Sequence, residues 1–248
     1  MKTAYQSIAG VPALVIGEVS ERAWLFVHGK LGCKEEALAF GELVCPMGWQ
    51  VVGVDLPEHG SRKEAPEKLL PWTAVPELQA VYRAMSQRWQ QVSLRATSIG
   101  AWLSMQALQE EKPDRALFVS PVVDMVNLIE NMMTWAGVTE EELRQKGEIP
   151  TQFGETLSWE YLCWAREHPV RWNTPTEILY AGGDTRTSRP VIADFAEKSG
   201  SGLTVMENGE HWFHTGEQLQ VLREWERRCL TREGVFPVEN SLSKLDGM

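Results

Sequence analysis

The sequence predicts an α/β protein with a mostly parallel central sheet and helices on both faces. Continuous apolar runs, such as residues 23–27 and 49–54, alternate with stretches in which apolar residues recur at helical spacing. Strands of a parallel sheet are covered on both faces, so they are unbroken apolar runs, and repeated strand–helix alternation is typical of such sheets. A third observation is the abrupt passage from a strand pattern to a helix pattern within residues 91–106.

The other elements are predicted from the same apolar patterns. Residues 5–18 predict a β-hairpin, because two apolar pieces flank Gly10-Val11-Pro12. Residues 76–89 predict a helix in which Pro76 suits the first helical position. The remaining predicted strands are residues 116–119, 177–181 and 203–206, and the remaining predicted helices are residues 35–45, 190–198 and 215–231. Residues 233–248 have few apolar side chains and predict a partly ordered tail.

Residues 125–173 interrupt the alternation of strand and helix. This stretch lacks an apolar strand run and instead shows helical patterns at residues 126–135, 139–146 and 158–166, with many large apolar side chains. We therefore predict a small helical cap insertion that folds over one end of the sheet. It lies within a single predicted domain of residues 1–248.

Composition excludes several classes of function. The 248 residues carry a net charge of −10, which disfavours nucleic acid as a partner, because binding to the phosphate backbone is mostly cationic neutralisation. The first residues do not form a basic stretch followed by an apolar run, so no secretory signal is visible. No apolar stretch is long enough to span a membrane. The four cysteines lack the C-x-x-C spacing of zinc or redox motifs. These features predict a cytoplasmic protein, and they do not indicate its oligomeric state.

The turn around Ser98 carries the strongest functional signal. A strand that bends sharply into a helix needs small residues two positions before and after the apex, and Ala96 and Gly100 satisfy this need. Ser98 would then lie at a helix N-terminus, where backbone N–H groups favour negative charge. The pattern A-x-S-x-G is the G-x-S-x-G nucleophile elbow with Ala in place of the first Gly, and it resembles the α/β-hydrolase family.

This resemblance implies a base and an acid after the serine in the chain. His211 follows the last predicted strand in a glycine-containing loop, and Asp184 follows strand 177–181 and the pair Gly182-Gly183. Asp124, after strand 116–119, is the rival acid, because some family members place the acid there. A capping or structural role is the simpler account of Asp124. Asp55 precedes the serine in the chain and is expected to organise a turn.

The resemblance also implies donors for an oxyanion. One is the backbone N–H of Ile99, and the second is the backbone N–H of Lys30, which follows His28-Gly29. The motif D-x-P-x-H-G-x-R at residues 55–62 matches a loop often seen one strand later in the family. Taken together, the motifs cover about residues 8–230 in the family's order. Ala96 and Lys30 depart from the family's usual residues.

The expected function is that of a serine hydrolase with Ser98 as nucleophile, His211 as base and Asp184 as acid. We expect a small-molecule ester with a small or medium apolar acyl group, an acyl-enzyme intermediate, and no cofactor or metal. Trp135, Trp159 and Trp212 are the candidate pocket residues. A thioesterase or a peptidase would use the same catalytic residues, Ser98, Asp184 and His211. A non-catalytic small-molecule-binding protein could retain the same scaffold.

Overall fold

An eight-stranded sheet forms the centre of the computed structural model, which describes residues 1–231 of the chain. Its strand order is β1-β2-β4-β3-β5-β6-β9-β10, and a separate two-stranded sheet pairs β7 with β8. The strands are β1 Thr3–Ile8, β2 Val11–Ile16, β3 Arg22–Val27, β4 Gln50–Val54, β5 Gln91–Thr97, β6 Ala116–Val119, β7 Glu148–Pro150, β8 Thr156–Ser158, β9 Thr176–Ala181 and β10 Gly202–Met206.

Helices cover both faces of the sheet. They are α1 Ala37–Val44, α2 Pro71–Arg88, α3 Ile99–Leu108, α4 Met125–Ala136, α5 Glu140–Lys146, α6 Trp159–Glu167, α7 Arg189–Ser199 and α8 Gly216–Thr231. Side chains of α2, α3 and α7 join one apolar cluster, whereas side chains of α1 and α8 join a second. The predicted fold class is confirmed.

The two clusters explain why the central strands are unbroken apolar runs. In β3, Leu25 belongs to the first cluster, and its neighbour Trp24 belongs to the second. Successive side chains of a strand point to opposite faces of the sheet, so both faces of β3 are buried in apolar surroundings. Within the main sheet, neighbouring strands in the order β4-β3-β5-β6-β9-β10 are parallel. The hairpin of β1 and β2 pairs antiparallel with β4 and forms one edge of the sheet.

Helix α2 begins earlier than the sequence predicted. Its first residue is Pro71, and Pro76 lies inside the helix rather than at its start. Proline fits the first turn because the N–H that it lacks has no partner there. Both prolines precede apolar residues at helical spacing, so the sequence pattern does not show which of them begins the helix.

The insertion contains the three predicted helical pieces as α4, α5 and α6, and it also contains a hairpin that the sequence did not predict. Strands β7 and β8 pair antiparallel, and each has only three residues. Leu143, Leu157 and Leu162 of the insertion are fully or almost fully buried and join the first apolar cluster. The insertion is therefore packed onto the core. The predicted tail at residues 233–248 lies outside the described residues.

Within residues 1–231, no helix is long and apolar enough to cross a membrane.

The turn from β5 into α3 packs tightly against the end of β3. A Cβ atom added at Gly100 would lie 2.2 Å from the carbonyl oxygen of His28 and 3.0 Å from that of Val27. Both contacts are with backbone, which cannot move away as a side chain could. The last residue of the elbow motif, Gly100, must therefore remain a glycine for β3 and α3 to keep this spacing.

We predict that Gly100→Ala destabilises the protein by about 1–3 kcal/mol or more, because overpacking forces the backbone to shift. Chemical denaturation followed by circular dichroism measures the free energy of unfolding. Gly216→Ala is the matched control, since a Cβ there would meet nothing within 4 Å. Equal stability of the Gly100→Ala variant and the unaltered protein would contradict the packing argument.

Candidate active site

Ser98 lies at the apex of the turn between β5 and α3. Its backbone has a φ of 52° and a ψ of −123°, a strained conformation for a residue other than glycine. Backbone hydrogen bonds hold the turn on both sides: the N–H of Ser98 donates to Val119 at 3.1 Å, and the N–H of Val122 donates to Ser98 at 3.1 Å. Strand β6 and the loop after it therefore hold the strained conformation of Ser98 in place.

Three side chains that are far apart in the sequence form a hydrogen-bonded chain. The Oγ atom of Ser98 lies 2.8 Å from Nε2 of His211, and Nδ1 of His211 lies 2.7 Å from Oδ2 of Asp184. The Asp184 carboxylate is fully buried, whereas the imidazole is 24% exposed. With a proton on Nδ1 donated to Asp184, the neutral imidazole presents Nε2 as an acceptor for the serine hydroxyl.

Backbone groups fix the Asp184 carboxylate in position. Its Oδ1 atom accepts hydrogen bonds from the backbone N–H groups of Arg186 at 2.7 Å and Thr187 at 3.3 Å, which leaves Oδ2 for His211. The loop after β9 also approaches the loop after β10 closely, because the N–H of Gly183 donates to the carbonyl of Gly209 at 2.9 Å. This contact brings the carboxylate and the imidazole together.

The other acidic candidates have different partners. Asp124 is the N-cap of α4, and its carboxylate accepts a hydrogen bond from the N–H of Asn127 at 2.9 Å. Asp55 is buried and accepts hydrogen bonds from Lys34 and Ser61. Burial opposes ionisation of Asp55, but these hydrogen bonds outweigh it and lower the pKa of the carboxyl group. Asp55 thus organises its own loop, as the sequence predicted.

The two predicted oxyanion donors, the backbone N–H groups of Ile99 and Lys30, stay predictions. Ile99 is the first residue of α3, and Lys30 follows Gly29, at which an added Cβ would lie only 3.3 Å from Cβ of Ser98. Within residues 1–231, neither backbone N–H has a hydrogen-bond acceptor. The Lys30 ammonium forms an ion pair with Glu155, in the turn between β7 and β8. The side chain of Lys30 thus joins the loop after β3 to the insertion.

His28 is a residue of this site to which the sequence analysis assigned no role of its own. Its side chain is fully buried; Nδ1 donates to the carbonyl of Gly29 at 2.7 Å, and Nε2 accepts from the N–H of Leu56 at 3.1 Å. Burial lowers the pKa of His28 to about 4, so the ring is neutral and bridges the loops after β3 and β4. Its position at the end of a buried strand was the available signal.

The three candidate pocket tryptophans lie in different surroundings. Trp212 follows His211 and is 65% exposed, while Trp135 is 47% exposed and contacts Phe153 edge-on at 6.1 Å. The guanidinium of Arg186 lies 5.9 Å from the Trp135 ring, which places the end of α4 near the Asp184 loop. Trp159 packs against the first apolar cluster. Their pocket role stays a prediction.

Among residues 1–231, no three or more His, Cys, Asp or Glu side chains are grouped so that they could hold a metal ion.

Comparison with solved structures identifies the fold. Est1E from Butyrivibrio proteoclasticus, solved with ferulic acid bound, has a TM-score of 0.69 at 16% identity, and the match covers 92% of this chain and 97% of that one. The mouse alpha/beta hydrolase domain-containing protein 10 gives 0.68 at 14% identity over 93% and 98%. The chain has the α/β-hydrolase fold.

A third structural neighbour is the Pyrococcus furiosus esterase PF2001, with a TM-score of 0.61 at 16% identity and coverage of 92% of this chain and 88% of that one. No protein-family model matches the sequence, and no curated protein sequence matches it. At these identities the likeness concerns the fold. The arrangement of side chains around Ser98 must therefore carry the argument for function.

The buried neutral ring of His28 predicts a pH dependence of stability. Because the pKa falls from 6.5 in the unfolded chain to about 4 in the folded protein, the unfolded state binds more protons between these values. His28 therefore stabilises the fold above pH 6.5, and this contribution, about 3 kcal/mol, is lost as the pH falls towards 4. Urea denaturation at pH 7 and at pH 4 measures the free energy of unfolding. Between these two pH values, this free energy should fall less in His28→Gln than in the unaltered protein. Equal losses in both proteins would contradict the assignment.

Proposed function

We propose that the protein is a serine hydrolase that cleaves a carboxylic ester with a small or medium apolar acyl group. The hydrogen-bonded chain from Ser98 through His211 to Asp184 is the observation that supports this proposal. A serine hydroxyl attacks poorly at neutral pH, and an imidazole within hydrogen-bond distance that is oriented by a carboxylate is the arrangement that activates it. The comparison with esterase structures agrees with this class of reaction.

In the proposed reaction, Ser98 Oγ attacks the ester carbonyl while His211 Nε2 takes the hydroxyl proton. Asp184 holds the imidazole through Nδ1 and stabilises the positive charge that develops on it. His211 then returns the proton to the leaving alcohol, and an acyl group remains on Ser98. Water activated by His211 attacks this acyl-enzyme and releases the acid. Every proton transfer involves Nε2, so this chemistry calls for no cofactor.

The charge that develops on the carbonyl oxygen also needs donors. Ile99 follows Ser98 directly and begins helix α3, whose dipole favours a negative charge there. Lys30 follows Gly29, which packs against Ser98, and neither backbone N–H has another acceptor among residues 1–231. Donors of this kind usually supply the largest single contribution to catalysis. His28 would act as a positioning residue, because it holds the loop that presents Lys30.

Thioester and amide cleavage would use the same residues, and we favour an ester with a small or medium acyl group because the insertion is short and rich in large apolar side chains. A binding protein without activity is the alternative from another class. Such a protein would have no use for the strained apex at Ser98 or for the buried carboxylate behind His211.

We predict that a fluorophosphonate probe labels the protein and that Ser98→Ala abolishes the label. The probe reacts with activated serine hydroxyls, so gel fluorescence after labelling tests the nucleophile directly. Ser86→Ala, a substitution on α2 at a serine that bonds its own helix, is the matched control and should label normally. Labelling that persists in Ser98→Ala would refute the proposed nucleophile.

We also predict that Asp184→Asn lowers kcat for a p-nitrophenyl ester by several orders of magnitude, because members of such a unit act together. Asp124→Asn should leave kcat near its original value. Because Asp124 caps α4, Asp124→Ala should reduce stability by about 1 kcal/mol. A reversal, with Asp124→Asn the inactive variant, would show that Asp124 is the acid.

A further inference from the structure

The turn from Gly29 to Gly32 is packed at its ends and exposed at its apex. The N–H of Gly32 donates to the carbonyl of Gly29 at 3.2 Å. A Cβ atom added at Gly29 would lie 3.3 Å from Cβ of Ser98, and one added at Gly32 would lie 2.9 Å from a buried histidine, His28. Leu31, by contrast, is 81% exposed, and its φ of 66° is strained for a residue other than glycine. Packing therefore fixes the two ends of the turn but not its apex.

The insertion supplies a side-chain contact to this apex. The ammonium of Lys30 pairs with the carboxylate of Glu155, in the turn between β7 and β8. Within residues 1–231, Lys30 Nζ has no other hydrogen-bond or ion-pair partner. The neighbouring side chain, Leu31, is apolar and exposed, so it provides no polar contact. The position of the apex therefore depends on where the insertion presents Glu155.

The backbone of Glu155 is held by hydrogen bonds within its own turn. The N–H and Oγ1 of Thr151 donate to the carbonyl of Glu155 at 2.8 Å and 2.7 Å, and the N–H of Glu155 donates to Thr151 Oγ1 at 3.2 Å. Phe153, between these two residues, contacts Trp135 of α4 edge-on at 6.1 Å. These contacts fix the turn to the insertion, so the carboxylate is presented from an ordered backbone.

We propose that Glu155 is a positioning residue that holds the backbone N–H of Lys30 toward the carbonyl oxygen of the ester. This inference rests on the proposed function, in which that N–H is an oxyanion donor. Glu155 acts through the ammonium of Lys30, and a donor that is already in place needs no rearrangement at the moment of reaction. Both side chains are partly exposed, so the pair contributes little to global stability. Its effect is on the position of the turn.

The experiment measures hydrolysis of p-nitrophenyl butyrate by the full-length protein and by Glu155→Gln, Lys30→Met and the double variant. Lys30→Met keeps the backbone N–H and removes the charge. Each single substitution should lower kcat about threefold to fivefold and leave KM unchanged, because an exposed ion pair shifts a local equilibrium by at most about fivefold. The double variant should lose no more than either single variant, since both remove the same interaction.

Further measurements distinguish positioning from a structural role. Salt screens exposed pairs, so raising NaCl from about 0.05 M to about 1 M should lower kcat of the unaltered protein toward that of Glu155→Gln. The kcat of Glu155→Gln itself should change little. The rate of fluorophosphonate labelling should fall in Glu155→Gln by the same factor as kcat, because the phosphoryl oxygen of the probe takes the place of the carbonyl oxygen. The free energy of unfolding should be the same in both proteins.

Glu42→Gln is the matched control. Glu42 of α1 pairs with Arg223 of α8 at 2.7 Å, and both side chains are partly exposed. These helices pack on the second apolar cluster, so kcat of this variant should equal that of the unaltered protein.

Two kinds of result would overturn the proposal in different ways. If Glu155→Gln leaves kcat unchanged or raises KM alone, or if the two single losses add in the double variant, this inference is wrong, and labelling of Ser98 still supports the proposed function. If no ester is hydrolysed and the fluorophosphonate probe does not label Ser98, the proposed function fails, and this inference fails with it.

Discussion

The close packing of strand ends at one edge of the parallel sheet is the constraint on which the rest of the site depends. Ser98, Asp184 and His211 follow three different strands, β5, β9 and β10. Parallel strands end at a common edge, so residues 113 positions apart can form the 2.8 Å contact between Ser98 and His211. The packing requires glycines, because a side chain at Gly100 or Gly182 would collide with the backbone of a neighbouring strand end.

Two buried polar side chains hold loops at this edge, and both have defined partners. His28 joins the loops after β3 and β4, and Asp55 ties its own loop to the chain at Lys34 and Ser61. Such groups are unfavourable in a core unless they are fully hydrogen-bonded. Their satisfied networks therefore fix loop positions that apolar packing alone would leave variable. In the proposed mechanism, that rigidity keeps the N–H of Lys30 in place before the substrate arrives.

The sequence predicted most of the fold because its signals are local. Unbroken apolar runs located the strands of the main sheet, and helical spacing located the helices. The hairpin of β7 and β8 was missed, since strands of three residues are too short to show a period of two. The start of α2 was misplaced, because Pro71 and Pro76 both precede apolar helical residues.

The candidate site was predictable to the extent that its residues stand at strand ends, as Ser98, Asp184 and His211 do. Contacts between residues that are far apart in the sequence were not predictable. The role of His28 depends on its burial and on its partner at Leu56, and neither is visible in the order of residues. The sequence showed the Lys30 side chain only as a departure from the family's usual residue, whereas its partner is Glu155, 125 positions away.

The insertion is attached to the rest of the protein in two different ways, and the two differ in strength. Leu143, Leu157 and Leu162 are buried in the main apolar cluster, so the base of the insertion shares the stability of the core. The tip is held by the Lys30–Glu155 pair, whose side chains are 45% and 32% exposed, and pairs of that kind contribute little to stability. Movement would therefore cost least at the turn between β7 and β8. Through this pair, that turn is joined to the loop after β3, which carries the proposed oxyanion donor.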